Sequence, residues 1–186
     1  MPRSPSPRKL IKDLEPDELR DVIVELCKLS KQNKQFLELY LLGSDAASPE
    51  PVVKEAKEKI KACIIGRGQF PRTDLRGARA AIREYSKVLK EYPQSIAELK
   101  LYYVEIGTVL THEYGDMYES FYNSLASVFR SFCKDVKKHP SLYAEFVDRI
   151  DRLNGAAHYV GWGYGDDITY SVLDLRESVS TEKQWG

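Results

Sequence analysis

The chain has 186 residues, 42% hydrophobic and 30% charged. That composition supports a soluble globular domain and excludes a disordered or collagen-like chain. Its formal charge is zero, with 28 basic and 28 acidic side chains, which argues against a dedicated nucleic-acid protein while leaving room for a local cationic patch. The balance is uneven along the chain: residues 1–93 carry 19 Lys and Arg against 14 Asp and Glu, and residues 94–186 carry 9 against 14.

Helical periodicity runs through almost every segment, and strand alternation is nearly missing. Residues 1–7, with Pro2, Ser4, Pro5, Ser6 and Pro7, read as a disordered tail without the apolar stretch of a secretory signal. Leu10, Ile11 and Leu14 mark a short helix. Pro16 suits the first position of the next, whose apolar face is Leu19, Val22, Ile23, Leu26 and Cys27. A third helix around Phe36–Leu42 stops at Gly43, and residues 43–51 form a loop. Ser48-Pro49 starts a fourth, which runs to about Ile65 and is broken by Gly66-Arg67-Gly68-Gln69-Phe70-Pro71.

Thr73 is placed to cap a fifth helix with Leu75, Ala78, Ile82, Tyr85 and Leu89 on one face, ended by Tyr92-Pro93. Ser95-Ile96-Ala97-Glu98 has the capping-box pattern and predicts a sixth helix to about Glu113. Gly115 stops it, and Asp116 is placed to cap a seventh with Leu125, Val128, Phe129, Phe132, Cys133 and Val136 on its apolar face. His139-Pro140 breaks that helix, and Leu142, Phe146, Ile150 and Leu153 define another. Residues 155–165 read as a glycine-rich loop with Trp162 as a packed plug. A last helix from Asp166, capped by Asp166 or Asp167, ends near Leu175.

The expected fold is therefore all-α, with eight or nine amphipathic helices in antiparallel neighbours. They would form a compact bundle or a short irregular stack of helical hairpins. One helical domain covers residues 8–175, within which 8–42 forms a smaller N-terminal helical subunit, and residues 176–186 are a frayed tail. No apolar run reaches the roughly 20 residues that span a bilayer. With Cys27, Cys63 and Cys133 far apart and reading as reduced thiols, a cytoplasmic protein is expected.

Four features carry candidate chemistry. Arg72, Arg76, Arg79 and Arg83 recur at i, i+4, i+7 and i+11, so four guanidinium groups share one side of a helix. Guanidinium forks bind phosphate oxygens bidentately, and Arg67 and Lys87 would extend the row. The plainer reading is a solvated face relieved by Asp74 and Glu84. Tyr102, Tyr103, Tyr114, Tyr118 and Tyr122 fall close together and suit either a core edge or a partner surface. Glu105, Glu113 and Asp116, with His112, are weak metal or acid–base candidates whose spacing matches no standard ligand set. Gly161-Trp162-Gly163-Tyr164-Gly165 superficially resembles a phosphate loop, but no strand precedes it and Asp166-Asp167 follow. No Gly-x-Ser-x-Gly, Cys-x-x-Cys or His-Glu-x-x-His motif occurs, so no catalytic residue and no cofactor is assigned.

Gly68-Gln69-Phe70-Pro71, Ala78-Arg79-Ala80-Ala81-Ile82, Leu101-Tyr102-Tyr103-Val104-Glu105, Glu113-Tyr114-Gly115-Asp116, Phe121-Tyr122-Asn123-Ser124 and Gly161-Trp162-Gly163 together carry a resemblance over residues 8–175. The chain resembles a bacterial family of small all-helical proteins known only as a domain of unknown function. That resemblance implies a cytoplasmic helical domain and brings no functional residues. The leading expectation is a non-enzymatic interaction module that binds a protein partner, or itself, through charged and tyrosine-rich surfaces. The alternative is nucleic-acid or polyanion binding through the arginine row, and a third reading is a metal-dependent enzyme.

Overall fold

The structure is a computed structural model that describes residues 5–66 and 70–182. Arg67, Gly68 and Gln69, and the outer parts of both predicted tails, lie outside the described residues. The described residues form α-helices and one 3-10 turn, with no strand among them. The fold is all-α.

The chain divides into two compact units, residues 1–48 and 49–186. The first contains α1 (Pro7–Leu10), α2 (Pro16–Leu29) and α3 (Lys31–Ala46). A reciprocal capping box starts α2: Glu15 and Glu18 each accept from the other's backbone N–H, satisfying donors that a helix start leaves orphaned. Ser30, in an extended conformation, separates α2 from α3. Gly43 interrupts α3 with φ 66° and ψ −171°, a positive-φ break that glycine permits, but it does not end the helix as expected, because helical hydrogen bonding resumes beyond it. Phe36 and Tyr40 stack one turn apart on α3.

The second unit contains α4 (Glu50–Ile64), α5 (Leu75–Val88), α6 (Pro93–Tyr114), α7 (Glu119–Lys138), a 3-10 turn (Pro140–Leu142), α8 (Tyr143–Ala157) and α9 (Tyr164–Glu182). It is built around α6, which packs on α4, α5, α7 and α8. Residues from all sides of α6 are buried, among them Ala97, Leu99, Leu101, Tyr103, Val104, Gly107, Thr108 and Leu110. A helix buried over most of its surface sits at the centre of its unit, although Val109 stays exposed. Gly107 lets α7 approach, because a Cβ there would lie 2.5 Å from a methyl of the fully buried Leu125. The aromatic core follows α7: Phe121, Tyr122, Phe129 and Phe132 are buried, with Phe132 edge-on to Phe146 of α8.

Several boundaries differ from the sequence reading, each for a local reason. Helix α6 begins at Pro93, where proline's missing N–H costs nothing, and Ser95 is a buried residue inside it and not a cap. Helix α9 continues through residues 176–182, read as part of a frayed tail, because Val179 shares the buried face of Val172 and Leu175. Helix α8 extends to Ala157, shortening the glycine-rich connection. Trp162 is no plug: it is 56% exposed, at φ 60°. Tyr164 fills that place, 1% exposed, with its hydroxyl 2.6 Å from Thr108 Oγ1. Asp166 and Asp167 lie inside the first turn of α9 and do not precede it.

Gly107→Ala is expected to destabilise the second unit by about 1–3 kcal/mol, since Leu125 has no free space into which to move. Urea unfolding of the variant against wild type measures it.

Candidate anion-binding groove

The start of α5 is set by the end of α4. The backbone N–H groups of Arg72, Thr73 and Asp74 donate to the carbonyls of Ile65, Ile64 and Cys63 at 3.3, 2.9 and 2.9 Å. Those are carbonyls that a helix C-terminus leaves without intrahelical partners. The chain turns at Thr73, whose φ is 49°. The cap is therefore Asp74 and not Thr73, with its carboxylate accepting from Gly77 N at 2.8 Å. Gly77 lets that carboxylate sit close, since a Cβ there would make it shift.

Helix α5 then buries Ala78, Ala81, Ile82, Tyr85 and Val88 and leaves Arg76, Arg79, Arg83 and Lys87 exposed. Arg72 does not continue the helical row: it precedes the helix and lies 3.5 Å from Asp74. The other acidic side chain near the row, Glu84, is taken by Lys59 of α4 at 2.7 Å. Both carboxylates that would relieve the row are thus committed elsewhere. Among the described residues, Arg76, Arg79, Arg83 and Lys87 form no ion pair.

These cations line a groove whose opposite wall is α7. One lobe, about 290 Å³, lies between Leu75, Arg76, Arg79 and Arg83 on one side and Ser120 and Ser124 on the other. The adjoining lobe, about 630 Å³, shares Arg79 and Arg83 and adds Lys87, with Ser127, Val128, Ser131 and the carboxylate of Asp135 facing them and Ile96 and Lys100 from α6. From Arg76 to Lys87 the cationic wall runs about 16 Å at the helical rise. Lys100 is part-buried and held by Ser131 Oγ at 2.9 Å and by Asp135. Its charge is compensated, which leaves the α5 row as the uncompensated positive field. Ser124 bonds Tyr103 OH at 2.8 Å, while Ser120 and Ser127 are exposed hydroxyls. Guanidinium groups facing hydroxyls are donors suited to an oxyanion. The α7 wall escaped the sequence reading, although its signal was present. Ser120, Ser124, Ser127 and Ser131 repeat the i, i+4, i+7, i+11 spacing of the arginines.

The tyrosines do not form one surface. Tyr103 and Tyr122 are buried, at 0% and 1% exposure, so neither can meet a partner; Tyr102 is half-buried, and Tyr114 and Tyr118 are about half exposed. Burial raises the Tyr103 hydroxyl above its ordinary pKa. The carboxylates are likewise separated in role. Asp116, expected as a cap, instead accepts from Tyr122 OH at 2.6 Å and Trp162 Nε1 at 2.9 Å, ties that hold it below the usual carboxylate range. Glu105 receives Arg149 bidentately at 2.9 and 2.6 Å, and Glu113 is exposed. His112 Nε2 lies 3.0 Å from the carbonyl of Ala156. Among the described residues, no three His, Cys, Asp or Glu side chains converge as a metal site would require. The cysteines are free thiols, and burial pushes Cys133 up to about 12.

Arg149 of α8 also reaches Glu98 at 2.5 Å, and Lys57 of α4 meets the same carboxylate at 2.6 Å. This network ties α4, α6 and α8 on the side of α6 that does not line the groove. No family model matches the chain, and no curated protein or solved structure is similar to it. No described helix is long and apolar enough to cross a membrane.

Burial works to raise the pKa of Glu98, but the hydrogen bonds from Arg149 and Lys57 prevail and hold it below its ordinary 4.5. A depressed carboxyl contributes stability above its unfolded pKa and loses it as pH falls through the folded one. Urea-unfolding free energy is expected to drop more steeply below about pH 4.5 in wild type than in Glu98→Gln. Equal slopes would remove Glu98 from the acid response.

Proposed function

We propose that this protein is a non-enzymatic helical interaction module that binds an anionic partner in the groove between α5 and α7. One observation carries the reading: Arg76, Arg79, Arg83 and Lys87 line a groove without a carboxylate partner of their own. Cations held together on a rigid helix repel one another, and a ligand that neutralises them gains the whole field. Arginine at three of the four positions favours forked recognition of carboxylate or phosphate over simple charge screening.

None of His112, His139 and His158 lines either lobe, and neither lobe's lining includes a cysteine. With Asp135 already bound to Lys100, the exposed guanidinium groups and hydroxyls support recognition of an anion. The tyrosine-rich surface contributes through Tyr102, Tyr114 and Tyr118 only, since Tyr103 and Tyr122 are spent on the core. The same groove accommodates the polyanion alternative, because phosphates and carboxylates present similar oxygens to a guanidinium fork.

Fluorescence anisotropy with labelled polyglutamate and with dT12, across a salt series, tests the reading against Arg76→Glu/Arg79→Glu/Arg83→Glu. At least one probe is expected to bind at low salt. For dT12, four contacts give a log–log salt slope of about −3. All three arginines are exposed, so the variant should keep the wild-type melting temperature while losing at least tenfold in affinity. Undiminished binding by a folded variant would move the site elsewhere on the protein.

A further inference from the structure

We infer that the groove's partner is an acidic amphipathic helix of another protein, its carboxylates on the α5 row and its apolar face on the groove floor. This inference rests on the anion-binding reading above and adds the chemical class of the occupant. The floor of the larger lobe is what decides the class. Ile96 and Val128, both half-buried, line it together with the edge of Ile82. A ligand that offered only charge would leave that apolar surface wet, whereas an amphipathic helix covers it.

Nucleic acid fits less well for a matching reason. Single strands are held by a cationic track and by aromatic side chains on which bases stack. The cationic track is present, but no aromatic side chain lines either lobe among the described residues. The aromatics of the two wall helices beside it, Tyr85 of α5 and Phe129 and Phe132 of α7, have their rings buried.

Spacing supports a helix in particular. Arg79, Arg83 and Lys87 stand four residues apart along α5, so their charges repeat about every 6 Å. Glutamates at i, i+4 and i+8 of a helix lying alongside α5 repeat at the same interval. Leucine-type residues at i, i+3 or i+4, and i+7 of that helix would face Ile96 and Val128. A wall of about 16 Å takes roughly three turns of such a helix.

Three labelled probes separate the outcomes. The first is a 14-residue helical peptide with glutamates along one flank and leucines at the facing positions. The second keeps every glutamate and replaces each leucine by glutamine, and the third is dT12. Anisotropy with wild type is expected to show the leucine peptide binding at least tenfold tighter than the glutamine peptide and than dT12. Val128→Gln and Ile96→Gln, made separately and checked for an unchanged melting temperature, should each shrink that preference at least threefold. Arg79→Glu/Arg83→Glu should abolish binding of both peptides. Equal affinity for the two peptides, or tighter binding of dT12, would overturn the acidic-helix inference and leave the anion-binding reading standing. No binding of any probe at low salt would overturn both.

Discussion

The second unit depends on α6 being surrounded. Along its buried faces α6 has no solvent on which to leave polar groups, so each must be satisfied by a neighbour or replaced by an apolar residue. Thr108 returns its hydroxyl to the Val104 carbonyl at 2.9 Å and meets Tyr164 of α9. Tyr103 finds Ser124 of α7. Glu98 and Glu105, where α6 approaches its surface, are neutralised by Arg149 of α8, with Lys57 of α4 on Glu98. Each partner comes from a different helix, so satisfying α6 also fixes where α4, α7, α8 and α9 stand. Removing one partner of such a buried set leaves the other uncompensated, which costs more than the pair contributes when intact.

The groove is a by-product of that arrangement. α5 and α7 both pack against α6, and Lys100, Ile96 and their neighbours form the strip between them. On the opposite side α4 and α8 close over α6 with complementary charges. The contrast is electrostatic. Where α6 meets α4 and α8, Glu98 and Glu105 are answered by Lys57 and Arg149, and where it lies between α5 and α7, Lys100 is answered by Asp135 while the α5 row is not. A cationic row left without ion pairs marks where an external anion would contribute most.

The glycine-rich connection before α9 has a structural use. Asp116 receives both Tyr122 and Trp162, which ties the α6–α7 turn to the α8–α9 connection. Gly115 at φ 87° and Gly163 at φ 70° permit the turns on either side of that tie. Gly165 has a packing reason as well, since a Cβ there would lie 2.7 Å from the Ala157 carbonyl. The resemblance of this segment to a phosphate loop is thus explained by close packing and turning.

Read from the sequence alone, the all-α class, most of the helix starts and stops, and the apolar faces of α5, α7 and α8 were already determined, because helical periodicity and the breaking power of glycine and proline are local properties. The arginine row was legible for the same reason, since i, i+4, i+7 spacing needs only one helix. Tertiary structure decided everything that depended on a second element. Thr73 lost the cap to Asp74 because the end of α4 claims the backbone of residues 72–74. Asp116 became a bridge because Trp162 arrives from 46 residues away. Tyr103 and Tyr122 went inward while Tyr114 and Tyr118 stayed out, since the central helix took one pair into the core. The arginines became a groove wall only when Glu84 turned to Lys59 and α7 brought its serines opposite, a pairing of helix faces that no periodicity within one helix encodes.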